Sequence, residues 1–350
     1  MDTSSQRKIL WVSPTCEISQ LAGEITAALV GDGPTLGFGE ISSEYAPSYA
    51  AVAIGTSGTT GTSKEVLLTS SALISSAKAS NKFIGAQSGD TWSLLLPLTH
   101  IAAVNVIIRS MELGTTPIDL RDCYGEYPKA NYTAIVPTQL FRALNGDQRL
   151  LSHLKSTKAV LVGGAALSQT LRNQAESAGI KVISTYGMTE TSGGCVYDGV
   201  ALEGIEIEIR QGKICIKGPV LASSIPLIDG WFVTNDLGEF NNDQLVVIGR
   251  SDDVIISGGE NLSLNAVENS LSLAFPNTQF AAFAIEDSQW GQSLQLAVVG
   301  TISDDQIASH LEKDLGYFAK PKGIHRMTSL PLLGIGKIDR KSLAKGIANE

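Results

Sequence analysis

Residues 55–64 read GTSGTTGTSK, a run of nine Gly, Ser and Thr residues that a lysine closes. Glycines let a backbone bend until several N–H groups point at one anion, and hydroxyls and an ammonium add further donors. This composition predicts a loop that holds the phosphate groups of a nucleotide. The candidate binding residues in it are Thr56, Ser57, Gly58, Thr59, Thr60, Gly61 and Lys64.

Two apolar strand patterns, at residues 50–54 and 66–69, flank this loop. A flexible polar linker is the other interpretation of such a composition, but linkers seldom join two apolar strands. The loop also differs from a P-loop, in which Gly-Lys-Ser/Thr opens a helix. Here Lys64 follows Ser63 and precedes Glu65, and a strand pattern comes next. We therefore expect a phosphate-binding turn between two strands.

The composition describes a folded chain with an acidic surface. Its 350 residues allow about two domains, and 43% hydrophobic against 17% charged residues exclude a disordered chain. The net charge is −9 and the basic residues are scattered. Because nucleic acids and anionic membranes require a positive surface, neither is an expected partner. The oligomeric state stays open.

Cysteine usage and apolar runs point to a cytoplasmic protein. The four cysteines, Cys16, Cys123, Cys195 and Cys215, are too dispersed for a zinc site or a disulfide framework, which favours a reducing compartment. The longest apolar runs, such as residues 101–108, are too short to span a bilayer. The short run at residues 9–12 does not form a signal-peptide core.

The order of apolar patterns predicts an α/β fold in two parts. Strand and helix patterns alternate over the first two thirds, which is typical of mixed sheets covered by helices. After about residue 200 come short strands separated by Gly, Asn and Asp, a β meander, and after Arg250 a helix–strand–strand–helix pattern. We expect a large domain over residues 1–250 and a small mobile α+β domain over residues 251–350.

Six segments in order resemble the signatures of the adenylate-forming superfamily, which contains acyl-CoA synthetases, luciferases and peptide-synthetase adenylation domains. After the 55–64 loop come PLTH at 97–100, YGMTET at 186–191, TND at 234–236, GRSDD at 249–253 and GKI at 336–338. The resemblance covers about residues 50–345. It implies that the chain joins a carboxylate to the α-phosphate of ATP with Mg²⁺ and then forms a thioester with coenzyme A.

The resemblance also implies roles for individual residues. Lys337 and Thr189 would act in catalysis, and Glu190 would hold Mg²⁺, although Thr189–Thr191 could also start a helix. Asp236 and Arg250 would bind the ribose, although an isolated Asp in this context is more often a turn residue. The remaining implied contacts are Gly163, Gly164, Ala165, Tyr186 and Gly187 with the nucleotide, His100, Gly187 and Met188 with the acyl substrate, Asp252 at the hinge between domains, and Gly258 and Gly259 along the pantetheine chain.

The sequence differs from the family pattern at two positions, and the lobe before the phosphate loop is short. Glu65 places a negative charge beside the loop unless it points away, and Asn235 replaces the usual glycine before Asp236. The phosphate loop begins unusually early, and short bacterial o-succinylbenzoate–CoA ligases of menaquinone synthesis are compact members of this kind. The resemblance to these ligases implies o-succinylbenzoate as the acid. Another acid, a carrier protein as acceptor, and a non-catalytic nucleotide-binding module remain the alternatives.

Overall fold

The computed structural model describes residues 6–57, 63–257, 259–276, 278–287, 291–332 and 338–348, without the side chains of Ser57, Ser63, Asp252 and Ala348. By their contacts the residues divide into two compact units. The first unit comprises Met1–Ala165, Ala175–Glu208 and Cys215–Val233, and the second comprises Ala166–Gln174, Ile209–Ile214 and Thr234–Glu350. The domain boundary expected after residue 250 stays a prediction.

The first sheet has five strands in the order β3-β1-β2-β4-β5. Its strands are β1 Gln6–Trp11, β2 Thr35–Phe38, β3 Tyr45–Pro47, β4 Ala50–Ser57 and β5 Ser63–Thr69. Helix α1, Ile18–Val30, connects β1 to β2. Strands β1, β2 and β4 are parallel, while β3 and β5 pair antiparallel with their neighbours. The mixed sheet therefore ends in the β4–β5 hairpin that carries the Gly/Ser/Thr loop.

The second sheet has seven strands in the order β12-β11-β10-β9-β8-β6-β7. Its strands are β6 Trp92–Leu94, β7 Ile118–Asp119, β8 Tyr132–Ile135, β9 Ala159–Val162, β10 Val182–Met188, β11 Gly193–Tyr197 and β12 Val200–Ala201. Strands β6 to β10 are parallel, and β11 and β12 are antiparallel additions. The carboxyl ends of the parallel strands consequently share one edge, where ligands bind in open α/β sheets.

Helices cover these sheets, as the alternating pattern predicted. They are α2 Ser70–Phe83, α3 Ile101–Glu112, α4 Pro137–Leu144, α5 Gln148–Ser156 and α6 Gln169–Ser177. Thr69 caps α2, because its hydroxyl accepts from the amide of Ala72 at 3.1 Å. Helix α3 is apolar on nearly all sides because it packs on α2, β6 and β11 at once.

The meander forms a third sheet in the order β13-β14-β15-β16. Its strands are β13 Glu206–Arg210, β14 Lys213–Lys217, β15 Phe232–Asn241 and β16 Gln244–Arg250. The turn between β15 and β16 has positive φ at Asn242 and Asp243, 47° and 62°, the geometry of a two-residue hairpin.

The C-terminal part has a five-stranded sheet between helices. Its elements are β17 Val254–Ser257, β18 Glu260–Ser263, α7 Leu264–Ala274, β19 Gln279–Asp287, β20 Gly291–Val299, α8 Asp304–Leu315, β21 Gly323–Arg326 and α9 Arg340–Ala348. Strand β19 buries both faces, because Phe280 packs in the cluster with α7 and α8 and Phe283 in the cluster with α9. No helix in the described part of the chain is long and apolar enough to cross a membrane.

Candidate active site

The Gly/Ser/Thr loop connects two antiparallel strands, which agrees with the expected strand–turn–strand arrangement. Thr56 lies opposite Lys64 in the β4–β5 pair, and its hydroxyl donates to the carbonyl of Lys64 at 3.0 Å. Ser57 and Ser63 are the last paired positions before the loop. Gly58, Thr59, Thr60 and Gly61 lie outside the described residues. A hydrogen-bonded β-hairpin therefore flanks the loop on both sides.

Lys64 and Glu190, predicted from separate motifs, lie together in the first unit. The Nζ atom of Lys64 is 3.9 Å from Oε1 of Glu190, and the side chains are 53% and 20% exposed. Because successive strand residues point to opposite faces, Lys64 turns toward Glu190 while Glu65 points away. The pairing brings the candidate metal ligand to the base of the candidate phosphate loop.

The carboxylate of Glu65 points away from the Gly/Ser/Thr loop and binds Ser42 and Ser43. It therefore does not place its negative charge at the candidate phosphate site. Its Oε1 accepts from the amide and hydroxyl of Ser42, at 2.6 and 2.8 Å, and from the amide of Ser43 at 3.0 Å. Burial acts to raise the pKa of Glu65, but these hydrogen bonds outweigh it and lower the pKa below its ordinary value. The negative charge is thus fixed on Ser42 and Ser43.

Strand β10 carries Tyr186, Gly187 and Met188, and its register shifts between Tyr186 and Gly187 where it pairs with β11. A side chain on Gly187 would meet the carbonyl of Gly193, so the close approach of β10 and β11 requires glycine there. Thr189 and Glu190 follow in a 3-10 turn, Thr189–Thr191, instead of a longer helix. The carbonyl of Glu190 accepts from the amide of Ala222 at 2.8 Å, which fixes the turn.

Gly163, Gly164 and Ala165 follow β9 at the same edge of the second sheet. A Cβ on Gly163 would collide with the hydroxyl of Thr185, the residue before Tyr186 on β10. The Gly163 amide donates to the carbonyl of Ile135 at the end of β8, at 3.1 Å. The glycine loop and Tyr186 therefore lie side by side at the carboxyl ends of parallel strands.

His100 immediately precedes α3. It occupies the N-cap position of the helix, and its side chain makes no capping hydrogen bond. The carbonyls of Thr99 and Gly55 each lie 3.2 Å from the position of a Cβ on Gly39. The segment ending at His100 therefore runs close to the start of the Gly/Ser/Thr loop.

Sequence reasoning missed a polar contact between α3 and the turn after Glu190. Asn105 donates from Nδ2 to the carbonyl of Ser192 at 2.7 Å, and the hydroxyl of Ser76 donates to the same oxygen at 3.0 Å. Ser192 itself has a positive φ of 51°. The available signal was a single asparagine within an otherwise apolar helix pattern, where a buried amide requires a partner.

Asp236 and Arg250 face each other in the second unit. They are directly opposite in the β15–β16 pair, and Nη1 of Arg250 donates to Oδ1 of Asp236 at 3.3 Å. The interpretation of Asp236 as a turn residue is wrong, because it lies inside β15 and is 8% exposed. The neighbouring Asn235 does not have a positive φ. Its replacement of the usual glycine therefore causes no backbone strain.

The other predicted residues of the second unit lie near turns. Asp252 belongs to the 3-10 turn Ser251–Asp253, and Gly259, with φ of 87°, belongs to the turn between β17 and β18. Gly258 and Lys337 lie outside the described residues. Among the described residues no group of three or more His, Cys, Asp or Glu side chains could hold a metal ion.

Comparison with known proteins identifies the family to which the chain belongs. The family model described as AMP-binding enzyme matches residues 16–215. The chain belongs to this family. Its match includes the 55–64 loop, the glycine loop at 163–165 and the turn with Glu190.

Relatives of this AMP-binding enzyme are similar over most of its length. A probable 2-succinylbenzoate–CoA ligase of Mycobacterium tuberculosis (strain CDC 1551 / Oshkosh) is 36% identical over 331 residues, which cover 86% of this chain and 85% of the relative. The 2-succinylbenzoate–CoA ligase of Lactococcus lactis subsp. lactis (strain IL1403) is 30% identical over 333 residues, covering 87% and 72%.

Two solved structures are similar in fold. A variant of E. coli MenE with bound OSB-AMS has a TM-score of 0.73 and 25% identity, and the match covers 89% of this chain and 72% of that one. The o-succinylbenzoate coenzyme A synthetase (MenE) of Bacillus subtilis, in complex with ATP and magnesium ion, has a TM-score of 0.73 and 24% identity over 92% and 82%. The predicted α/β architecture is confirmed.

Proposed function

We propose that the chain is an AMP-forming 2-succinylbenzoate–CoA ligase (the acid is also called o-succinylbenzoate) that acts in menaquinone biosynthesis. The relatives that are 36% and 30% identical bear this name and are matched over most of their length. The structural observation that carries the proposal is the approach of Lys64 to Glu190 at the base of the Gly/Ser/Thr loop. An ammonium and a carboxylate at that place suit a phosphate group and its metal ion.

The reaction consists of two displacements. A carboxylate oxygen of the acid attacks the α-phosphorus of ATP, and the bond to the β-phosphate breaks with release of pyrophosphate. The thiol of coenzyme A then attacks the acyl carbon, loses its proton to solvent, and expels AMP. In the first step two anions approach each other, so positive charge at the phosphates lowers the barrier most.

Cationic groups of this chain supply much of that charge. Lys64 and the amides of residues 56–61 would bind phosphate oxygens, and Lys337 would stabilise the charge that develops when the carboxylate attacks. Mg²⁺, when bound, neutralises phosphate charge. Glu190 fits as its protein ligand, because Mg²⁺ commonly takes one or two carboxylates and completes its shell with phosphate oxygens and water.

The remaining predicted residues keep their proposed roles. Thr189 would contact a phosphate beside Glu190. Tyr186, Gly163, Gly164 and Ala165 would contact the adenine, and Asp236 and Arg250 the ribose hydroxyls. Asp252 would be the hinge, Gly258 and Gly259 would pass the pantetheine chain, and His100, Gly187 and Met188 would border the acyl group.

The proposed acid has two carboxylates, so the second one requires a cation. Arg109 is 4% exposed, and its partners in the described part of the chain are neutral: Nη2 donates to the hydroxyl of Tyr197 at 3.0 Å, and Cζ lies 5.2 Å from the centre of the Trp92 ring. Its buried Nε has no partner among the described residues. Arg109 lies one helical turn after Asn105, which contacts Ser192. Because a buried charge without a counter-ion is costly, we assign Arg109 to this second carboxylate.

A panel of acids tests the function. The purified protein is mixed with Mg²⁺, ATP and coenzyme A, and release of AMP is measured for 2-succinylbenzoate and for monocarboxylic aromatic and aliphatic acids. The proposal expects 2-succinylbenzoate to have the highest kcat/KM and free coenzyme A to become thioesterified. Preference for another acid, transfer only to a carrier protein, or no turnover at all would each reject it in favour of one alternative.

The substrates also suggest where the enzyme works. The described part of the chain contains free cysteines, and two of them, Cys195 and Cys215, are buried. Burial raises the pKa of the Cys195 thiol to about 12, which keeps it protonated and unreactive. Reduced cysteines together with ATP and coenzyme A as substrates fit the cytoplasm.

A further inference from the structure

Arg340, the first residue of α9, joins four segments of the second unit. Its Nε donates to the carbonyl of Ala282 on β19 at 2.8 Å. Its Nη2 donates to both carboxylate oxygens of Glu268 on α7, at 3.0 and 2.9 Å, and to Oδ1 of Asn265 at 3.2 Å. Its Nη1 lies 3.9 Å from Oδ2 of Asp253 in the 3-10 turn. Hydrogen bonds to charged and neutral acceptors on several sides fix the position of the guanidinium.

The Arg340–Glu268 pair is largely removed from solvent. The two side chains are 24% and 15% exposed, and Oε1 of Glu268 also accepts from the amide of Ala282 at 2.8 Å. Burial raises the pKa of Glu268 to about 7; Arg340 opposes this rise and Asp253 adds to it. Arg340 on α9 and Asp253 in the 3-10 turn are the charged groups that face Glu268. Above about pH 7 the carboxylate of Glu268 is ionised, and its hydrogen bonds from Arg340 are then charge-assisted.

This pair fixes the chain that immediately follows Lys337. Ile338 forms an isolated antiparallel bridge with Leu332, and the amide of Asp339 donates to the carbonyl of Pro331 at 2.9 Å. Ile338 packs against the cluster that contains Phe283. The described ends on both sides of residues 333–337 are thus tied together, and Arg340 ties them to α7 and β19.

We propose that Glu268 is a positioning residue for adenylation: through Arg340 it holds the chain next to Lys337 in register with the sheet of the second unit and with the turn that contains Asp252. The proposal rests on the proposed function, because it concerns the role given to Lys337. A lysine is a point charge on a flexible stem, so its contribution depends on where its backbone is held. Misplacement by about 1 Å costs up to about 100-fold in rate.

The test compares Glu268→Gln with Ser270→Ala, a matched change on the same helix. Ser270 is 7% exposed and contacts α8, through His310 at 2.9 Å and Asp314 at 2.6 Å, instead of α9. Two quantities are measured in the full-length variants: hydrogen-exchange protection of the Asp339 amide, and kcat and KM for acid-dependent exchange of pyrophosphate into ATP. Thermal unfolding gives the loss of stability of each.

The expected result is selective. Above pH 7, where the carboxylate of Glu268 is ionised, Glu268→Gln lowers the protection of the Asp339 amide and reduces kcat about 10- to 100-fold with little change in KM for the acid, whereas Ser270→Ala does neither. Equal losses of kcat in both variants, or unchanged Asp339 protection in Glu268→Gln, overturn the proposal. A selective fall of Asp339 protection would show that the Glu268–Arg340 contact holds this part of the chain. If the wild type nevertheless exchanges no pyrophosphate with any acid, the role in adenylation is refuted together with the proposed function.

A pH series adds a readout that a purely steric role would not move. Because the pKa of Glu268 is raised from 4.5 to about 7, its contribution to the free energy of unfolding is complete below about pH 4.5 and is lost as the pH rises through 7. The free energy of unfolding of the wild type should therefore fall across this window relative to that of Glu268→Gln. Parallel curves for the two proteins would contradict the buried, titrating pair.

Discussion

The Nζ atom of Lys64 lies 3.9 Å from Oε1 of Glu190, although the two residues come from motifs far apart in the sequence. With Lys64 53% exposed, such a pair contributes little to stability, typically below about 1 kcal/mol. In the proposed function, the ammonium would bind a phosphate oxygen and the carboxylate would hold the metal ion. Binding of Mg²⁺ and ATP would exchange each partner for a stronger one.

Glu190→Gln should therefore impair catalysis without destabilising the fold. The substitution removes the one carboxylate proposed to hold Mg²⁺, so we expect acid-dependent pyrophosphate exchange to fall about 100-fold or more and the dependence on Mg²⁺ concentration to shift upward. Glu203→Gln is the matched control, since Glu203 pairs at 2.7 Å with Lys82 on the surface. Wild-type kinetics in Glu190→Gln would remove this residue from the metal site.

Asp236→Asn should raise KM for ATP. If Asp236 accepts from the ribose hydroxyls, the loss of its charge weakens hydrogen bonds of about 1.5–3 kcal/mol, which corresponds to about 10- to 100-fold. Asp243→Asn, in the turn of the same hairpin, is the control. The comparison of ATP with 2′,3′-dideoxy-ATP is decisive: the variant should no longer distinguish them, and full retention of the preference for ATP would exclude ribose binding.

Arg109→Gln should affect recognition of the dianionic acid selectively. We expect kcat/KM to fall about 100-fold for 2-succinylbenzoate, and much less for 4-oxo-4-phenylbutanoate, which lacks the carboxylate on the ring. Tyr197→Phe removes the hydroxyl that Arg109 contacts but keeps the cation. Equal effects of both substitutions on both acids would mean that Arg109 only supports the packing of α3.

Lys337→Ala should separate the two half-reactions. Pyrophosphate exchange should be abolished, because in the proposed function the ammonium acts where charge develops on the α-phosphate, while coenzyme A should still attack supplied acyl-adenylate. Lys341→Ala, an exposed position on α9, is the control. Equal loss of both steps in Lys337→Ala would refute the assigned role.

The local elements were predictable where one periodicity dominates. The strand patterns at residues 50–54 and 66–69 lie within β4 and β5, because short apolar runs flanked by turn residues favour strands. The sequence left open whether Glu65 points away from the loop, because its partners Ser42 and Ser43 lie on a different loop.

The motifs of the candidate site could be predicted from the sequence, but the contacts between their residues could not. Asp236 looked like a turn residue because Asn and Gly surround it, whereas pairing with Arg250 across β16 keeps it in a strand. Asn105 and Arg109 were hidden in a helix pattern that otherwise indicates core. Their roles depend on Ser192 and Tyr197, which only the tertiary fold brings to α3.

The most direct test of the central claim follows oxygen from the acid into AMP. The enzyme is supplied with 2-succinylbenzoate carrying ¹⁸O in its carboxylates, unlabelled ATP, Mg²⁺ and coenzyme A, and the released AMP is analysed by mass spectrometry. An acyl-adenylate requires that each AMP carry one ¹⁸O atom and that pyrophosphate carry none. Unlabelled AMP, or ¹⁸O in phosphate accompanied by ADP, would contradict the account.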